Sequence, residues 1–87
     1  MENNQSKDLY EMSLAEIRKF KGFSQAELAS QLGMQPKAIY ASETRRSIPK
    51  LDTAIAMAIV LEISLKQLAH SIGMDVSKVP DDLPVLR

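Results

Sequence analysis

SQAELASQLGMQPKAIYASE, from Ser24 to Glu43, carries the punctuation of two short helices. Ser24 is followed three residues on by Glu27, a pattern in which the serine oxygen accepts from an orphan amide and the glutamate reaches back to the serine amide. Leu28, Ala29 and Leu32 then recur at the three-and-four spacing of a buried helix face. Gly33 stops that helix, because glycine adopts the left-handed conformation at little cost. Pro36 opens the next one where a missing amide loses no hydrogen bond. The spacing therefore predicts helices over 25–31 and 36–44, with Ile39 as the main core residue of the second.

The same start signal occurs on either side. Ser13 with Glu16, and Ser64 with Gln67, each precede an apolar-periodic stretch. They predict a helix over 14–20, with Leu14 and Ile17 inward and Gly22 closing it. A last helix is predicted to follow Ser64 and stop near Gly73, contributing Leu65, Leu68 and Ile72. Between them, after a loop at Ser47-Ile48-Pro49-Lys50, residues 50–61 place Leu51, Ala54, Ile55, Ala58 and Leu61 at helical spacing. No stretch alternates with period two for long enough to propose a strand. Five short helices with short connections predict a compact all-α domain over 13–72. A polar arm, 1–12, precedes it. A tail, 73–87, follows, with Pro80 and Pro84 interrupting any helix; it is read either as disordered or as a pairing surface.

Composition narrows the function. The chain's 87 residues suffice for one small domain with a thin core, and 45% hydrophobic content argues against disorder as the default. The absence of cysteine excludes disulfides, thiolate catalysis and a zinc-finger site, and fits a reducing cytoplasm. No apolar run approaches the roughly 18 residues of a membrane span, and MENNQSKDLYEM lacks the pattern of a secretory signal. Eleven basic and eleven acidic residues balance overall, but not locally. Residues 13–50 carry seven cations against three acidic groups, a net +4, whereas the stretches before and after are each −2. A positive block between two negative ones suits an anionic partner such as nucleic acid. Catalysis has little support. His70, the sole histidine, falls near the end of the fifth helix, where a cation suits the dipole. Asp81 and Asp82 have no partner at metal-ligand spacing, and Gly22, Gly33 and Gly73 are too isolated to cradle a phosphate. No enzyme activity, metal or cofactor is expected.

Taken together, Leu14 to Leu68 resembles the helix-turn-helix domain of the phage repressor and Cro family, also called the xenobiotic-response-element type. The resemblance rests on SQAELA, Gly33 five residues after Leu28, Ile39 six after Gly33, Glu43 four after that, and Pro49-Lys50-Leu51-Asp52. It implies a five-helix fold whose second and third helices form the helix-turn-helix, the third lying in the major groove. That groove's donor and acceptor pattern distinguishes all base pairs. Pro36, Lys37, Tyr40 and Ala41 match the family's base-facing positions. Lys37 can donate to guanine, Tyr40 can stack or hydrogen-bond, and the other two make only apolar contact, so DNA shape would supply part of the specificity. Gln25 matches the phosphate-contacting glutamine at the second helix's N-terminus, itself a favourable place for an anion. Thr44, Arg45, Arg46 and Lys50 follow the reading helix, where the family grips the DNA backbone, and Arg18 is expected to be oriented toward a phosphate. Arg18 and Glu43 also match an ion pair joining the first and third helices. The family usually has glycine at the position of Arg45, where the chain tends to be left-handed. Arginine in that conformation costs about 1 kcal/mol, unless the turn differs. Ser42 likewise replaces a usual apolar residue.

The resemblance implies a sequence-specific transcriptional regulator of bacterial or phage origin, cytoplasmic, with double-stranded DNA as partner. It would act as a homodimer on a near-palindromic site, pairing through the fifth helix and the tail residues Leu83, Val85 and Leu86. The same fold also serves as a protein-interaction module, such as an antitoxin or adaptor, with little or no DNA binding. The acidic flanks, Pro36, Ala41 and the apolar tail residues, including Val76 and Val79, suit that alternative, with a protein partner held through the tail.

Overall fold

A computed structural model of the chain describes residues 11–80. Five helices follow one another: α1 (Leu14–Phe20), α2 (Gln25–Leu32), α3 (Pro36–Glu43), α4 (Leu51–Leu61) and α5 (Leu65–Ser71). There is no strand among the described residues. The serine signals explain the helix starts. Ser13 Oγ accepts the Glu16 amide at 3.2 Å while Glu16 Oε1 accepts the Ser13 amide at 2.9 Å. The reciprocal bonds at Ser24 and Glu27 measure 3.0 and 2.8 Å. At Ser64 only the forward half forms, with Ser64 Oγ accepting the Gln67 amide at 3.0 Å. The Gln67 side chain instead has its Nε2 buried, with no acceptor among the described residues.

The core is built around Leu14, Ile17, Leu28, Ile39, Met57, Leu61 and Leu68, all fully buried. Ala29, Ala54 and Ala58 bring the backbones close, and Met12, Phe23, Leu32, Met34, Val60 and Ile63 pack around them. α2 packs on α3 and α4, α4 on α5, and α1 on α3. α3 is therefore backed by two others.

α4 departs from its expected register. Its buried face is Ala54, Met57, Ala58 and Leu61, while Leu51 and Ile55, expected inside, are 67% and 43% exposed. The cause is the near-continuous apolar sequence LDTAIAMAIVL, which supports more than one stripe at helical spacing. α4 also begins one residue late, with Lys50 as its extended N-cap, and α3 ends one early, with Thr44 as its C-cap. Leu65, also expected in the core, is 40% exposed at the start of α5. Val76, beyond α5, is buried. The arm residues 1–10 and the proposed pairing residues Leu83, Val85 and Leu86 lie outside the described residues.

The displaced leucines share a surface. Ile48, Leu51, Leu65, Met74, Val79 and Pro80 line an apolar groove of about 580 Å³. Its walls come from residues 48–54 and 64–80, with none from α2 or α3. Among the described residues, two that are not glycine have left-handed backbones, Arg45 (φ 62°) and Glu62 (φ 59°). Arginine thus stands at a left-handed position after α3.

Candidate nucleic-acid interface

The turn between α2 and α3 is closed by the backbone. Gly33 takes φ 66°, and the Met34 amide donates to the Ala29 carbonyl at 2.9 Å. This is the wrap that satisfies the last carbonyls of a helix ending in glycine. Gln35 is extended (φ −84°, ψ 145°), as a residue before proline prefers, and Pro36 starts α3. α3 then divides into two faces. Ile39 and Ser42 are buried, while Pro36, Lys37 and Tyr40 are exposed and Ala41 is half-buried. The four expected base-facing residues thus share the outward side of one short helix.

Beneath that helix lies a single organising group, the Glu43 carboxylate. Arg18 Nε donates to its Oε2, Arg18 Nη2 to its Oε1 at 3.3 Å, and Gln25 Nε2 to its Oε1 at 3.0 Å. Arg18 Nη1 donates in turn to the Phe23 carbonyl at 2.8 Å. The Arg18 and Glu43 side chains are only 8% and 5% exposed. A buried pair of this kind holds because both partners are also hydrogen-bonded to other groups, Arg18 to the Phe23 carbonyl and Glu43 to Gln25. It ties α1, the turn after α1, the start of α2 and the end of α3 together. Arg18 therefore has three donors committed inside the domain, and Gln25 has one amide hydrogen committed there and one left over.

The residues after α3 do not form one uniform patch. Thr44 Oγ1 donates to the Tyr40 carbonyl at 2.9 Å, so its proton is spent on the helix. Arg46 and Lys50 are exposed. Arg45 is exposed too, but its guanidinium reaches Gly73, just beyond the C-cap of α5: Nε, Cζ and Nη1 each stand 3.0 Å from where a Cβ on Gly73 would be. A cleft beside it is lined by Glu11, Ser13, Glu16 and His70 as well. The sequence held no sign of the Phe23 carbonyl or of Gly73 as partners, because backbone groups carry no side-chain signature. Among the described residues no cluster of His, Asp or Glu could hold a metal ion, and no helix is long and apolar enough to cross a membrane.

The helix-turn-helix family model, of the Cro and phage repressor type, matches residues 14–68, from the start of α1 into α5. No curated protein and no solved structure gives a match.

Proposed function

This chain belongs to the helix-turn-helix family of DNA-binding regulators, and on that premise we propose that it reads specific DNA sequences as a homodimer. α3 enters the major groove, with Lys37 and Tyr40 supplying hydrogen bonds or stacking and Pro36 and Ala41 making apolar contact. Arg46 and Lys50 grip phosphates beside it, and the spare Gln25 amide hydrogen serves a third phosphate at the N-terminus of α2. Arg18 is held in orientation by three donors committed to Glu43 and Phe23, and one hydrogen left on each of its Nη atoms is available to a phosphate. Thr44 reaches a phosphate only if its hydroxyl leaves the Tyr40 carbonyl. The unit that reads DNA spans 13–72, and it regulates by occupancy, without catalysis, in the cytoplasm of a bacterial or phage-infected cell.

The observation that carries this reading is the two-sidedness of α3. Its inner face is fixed by Ile39 and the Glu43 network, and its outer face is free over the length a groove accepts. The pairing follows from energetics. Each good base contact contributes about 1–3 kcal/mol, whereas specific binders need roughly 4–10 kcal/mol over random DNA. Two polar base-facing residues supply about 2–6 kcal/mol, reaching only the lower part of that range, and doubling them on a two-fold dimer covers it. The apolar groove between α4, α5 and Val79 supports a second copy as the occupant, because pairing there leaves both α2 and α3 uncovered. Near-palindromic half-sites about one helical turn apart follow from that symmetry.

The test is selection of bound sites from a random duplex pool, followed by titration of salt. Recovery of a two-fold site, bound with a steep salt dependence, supports the reading. Absence of any shift at low salt sinks it and leaves the groove as the site of a protein partner, the adaptor use of the fold. Replacing both Arg46 and Lys50 by alanine should weaken binding to every duplex alike. The slope of log affinity against log salt should fall by about 1 for each phosphate that is no longer neutralised.

A further inference from the structure

We propose that Arg45 is a positioning residue which fastens the turn after α3 to the C-terminal end of α5, and is not a phosphate contact. Three atoms of its guanidinium, Nε, Cζ and Nη1, are equidistant at 3.0 Å from the missing Cβ of Gly73. The flat face of the group therefore lies over the Gly73 backbone, where an added side chain would crowd it and force it to shift. Gly73 follows Ile72, the C-cap of α5, and has φ +91°. The carbonyls at a helix C-terminus carry partial negative charge, which a cation complements. A planar guanidinium can also lie flat on backbone, as a lysine ammonium cannot. The family-usual glycine would relieve the left-handed strain at this position but leave nothing to bridge to α5.

The consequence concerns the segment on either side. Glu43 fixes the last residue of α3 to α1 and α2. Two residues later, Arg45 fixes the turn to α5, so that Arg46 projects from backbone held at both ends. Gly73 also begins the stretch carrying Met74, Val76 and Val79, which line the apolar groove. One contact thus joins the DNA-facing turn to the surface proposed for pairing. This role rests on the DNA-reading function, and its test separates the two.

Arg45→Gly keeps the left-handed turn, which glycine adopts freely. The variant should bind duplex several-fold more weakly than the parent with an unchanged salt slope, whereas Arg46→Ala should lower the slope by about 1. A slope that falls by about 1 in Arg45→Gly makes the residue a phosphate contact and overturns the proposal; an unchanged affinity overturns it as well. A second arm needs no DNA. Gly73→Ala should lower the melting temperature more in the parent chain than in the Arg45→Gly background, since only the parent has a guanidinium to displace. Equal shifts would show that the contact does not exist in solution. If the parent chain fails to bind any duplex, the DNA reading falls, and the thermal cycle still judges the contact.

Discussion

Glu43 accepts three hydrogen bonds from two side chains at a nearly buried carboxylate. Removing one side of such a pair leaves a buried charge without a partner, which costs roughly 3–5 kcal/mol. Glu43→Ala should therefore lose about 3 kcal/mol of stability. In a domain of this size that is a fall of roughly 12–24 °C in melting temperature. Lys37→Ala, on the exposed face of α3, should leave the melting temperature almost unmoved while narrowing the preference for selected over random sites. A Glu43→Ala variant that melts like the parent would mean the pair is exposed in solution. At this scale the Arg18–Glu43 pair and the outward 36, 37, 40 and 41 face of α3 were legible through the family resemblance, which matches them position by position. The destinations of Thr44 and Arg45 were not. A hydroxyl donating to its own helix and a guanidinium lying on a glycine depend on tertiary placement that no local pattern encodes.

The helices themselves were legible to within a residue or two, because serine caps, a left-handed glycine and a first-turn proline act locally. α4 was the exception in register. A helix apolar on most sides has no single stripe for periodicity to find, and its neighbours chose Met57 over Leu51 and Ile55. The caps make a pH prediction. Hydrogen bonds from the Ser24 backbone amide, and then its side chain, hold the Glu27 carboxyl below its usual value of 4.5, and burial opposes this only weakly. A carboxyl depressed in the folded state adds stability that is fully present above its unfolded pKa and disappears as pH falls through the folded one. Glu27→Ala should thus melt below the parent at pH 7. The gap should close as the pH is lowered through the acid range beneath 4.5. A gap that is the same at every pH would remove the charge of Glu27 from the account.

For the molecule as a whole, charge and apolar surface are divided between different parts of the chain. The cations gather in 13–50, while the groove is built from 48–54 and 64–80. The proposed pairing should therefore be separable from DNA binding by mutation. Leu65→Asp combined with Val79→Asp should convert a dimer to monomer in sedimentation at micromolar concentration. Both side chains are exposed, so the melting temperature should stay close to that of the parent at low concentration. The monomer should still bind duplex in a salt-dependent way but lose its two-fold footprint. A parent chain that sediments as a monomer even on its selected site would exclude the groove as a self-association surface.

The left-handed Glu62 at the end of α4 has a consequence for anyone engineering this scaffold. It is strained by its side chain, and it places a negative charge beside the negative end of a helix dipole. Asparagine tolerates that backbone and carries no charge. Glu62→Asn should raise the melting temperature by about 4 °C, as read by differential scanning fluorimetry. The position lies outside both α3 and the groove lining, so affinity for DNA should not change. That outcome would add heat tolerance at a position set apart from both α3 and the groove.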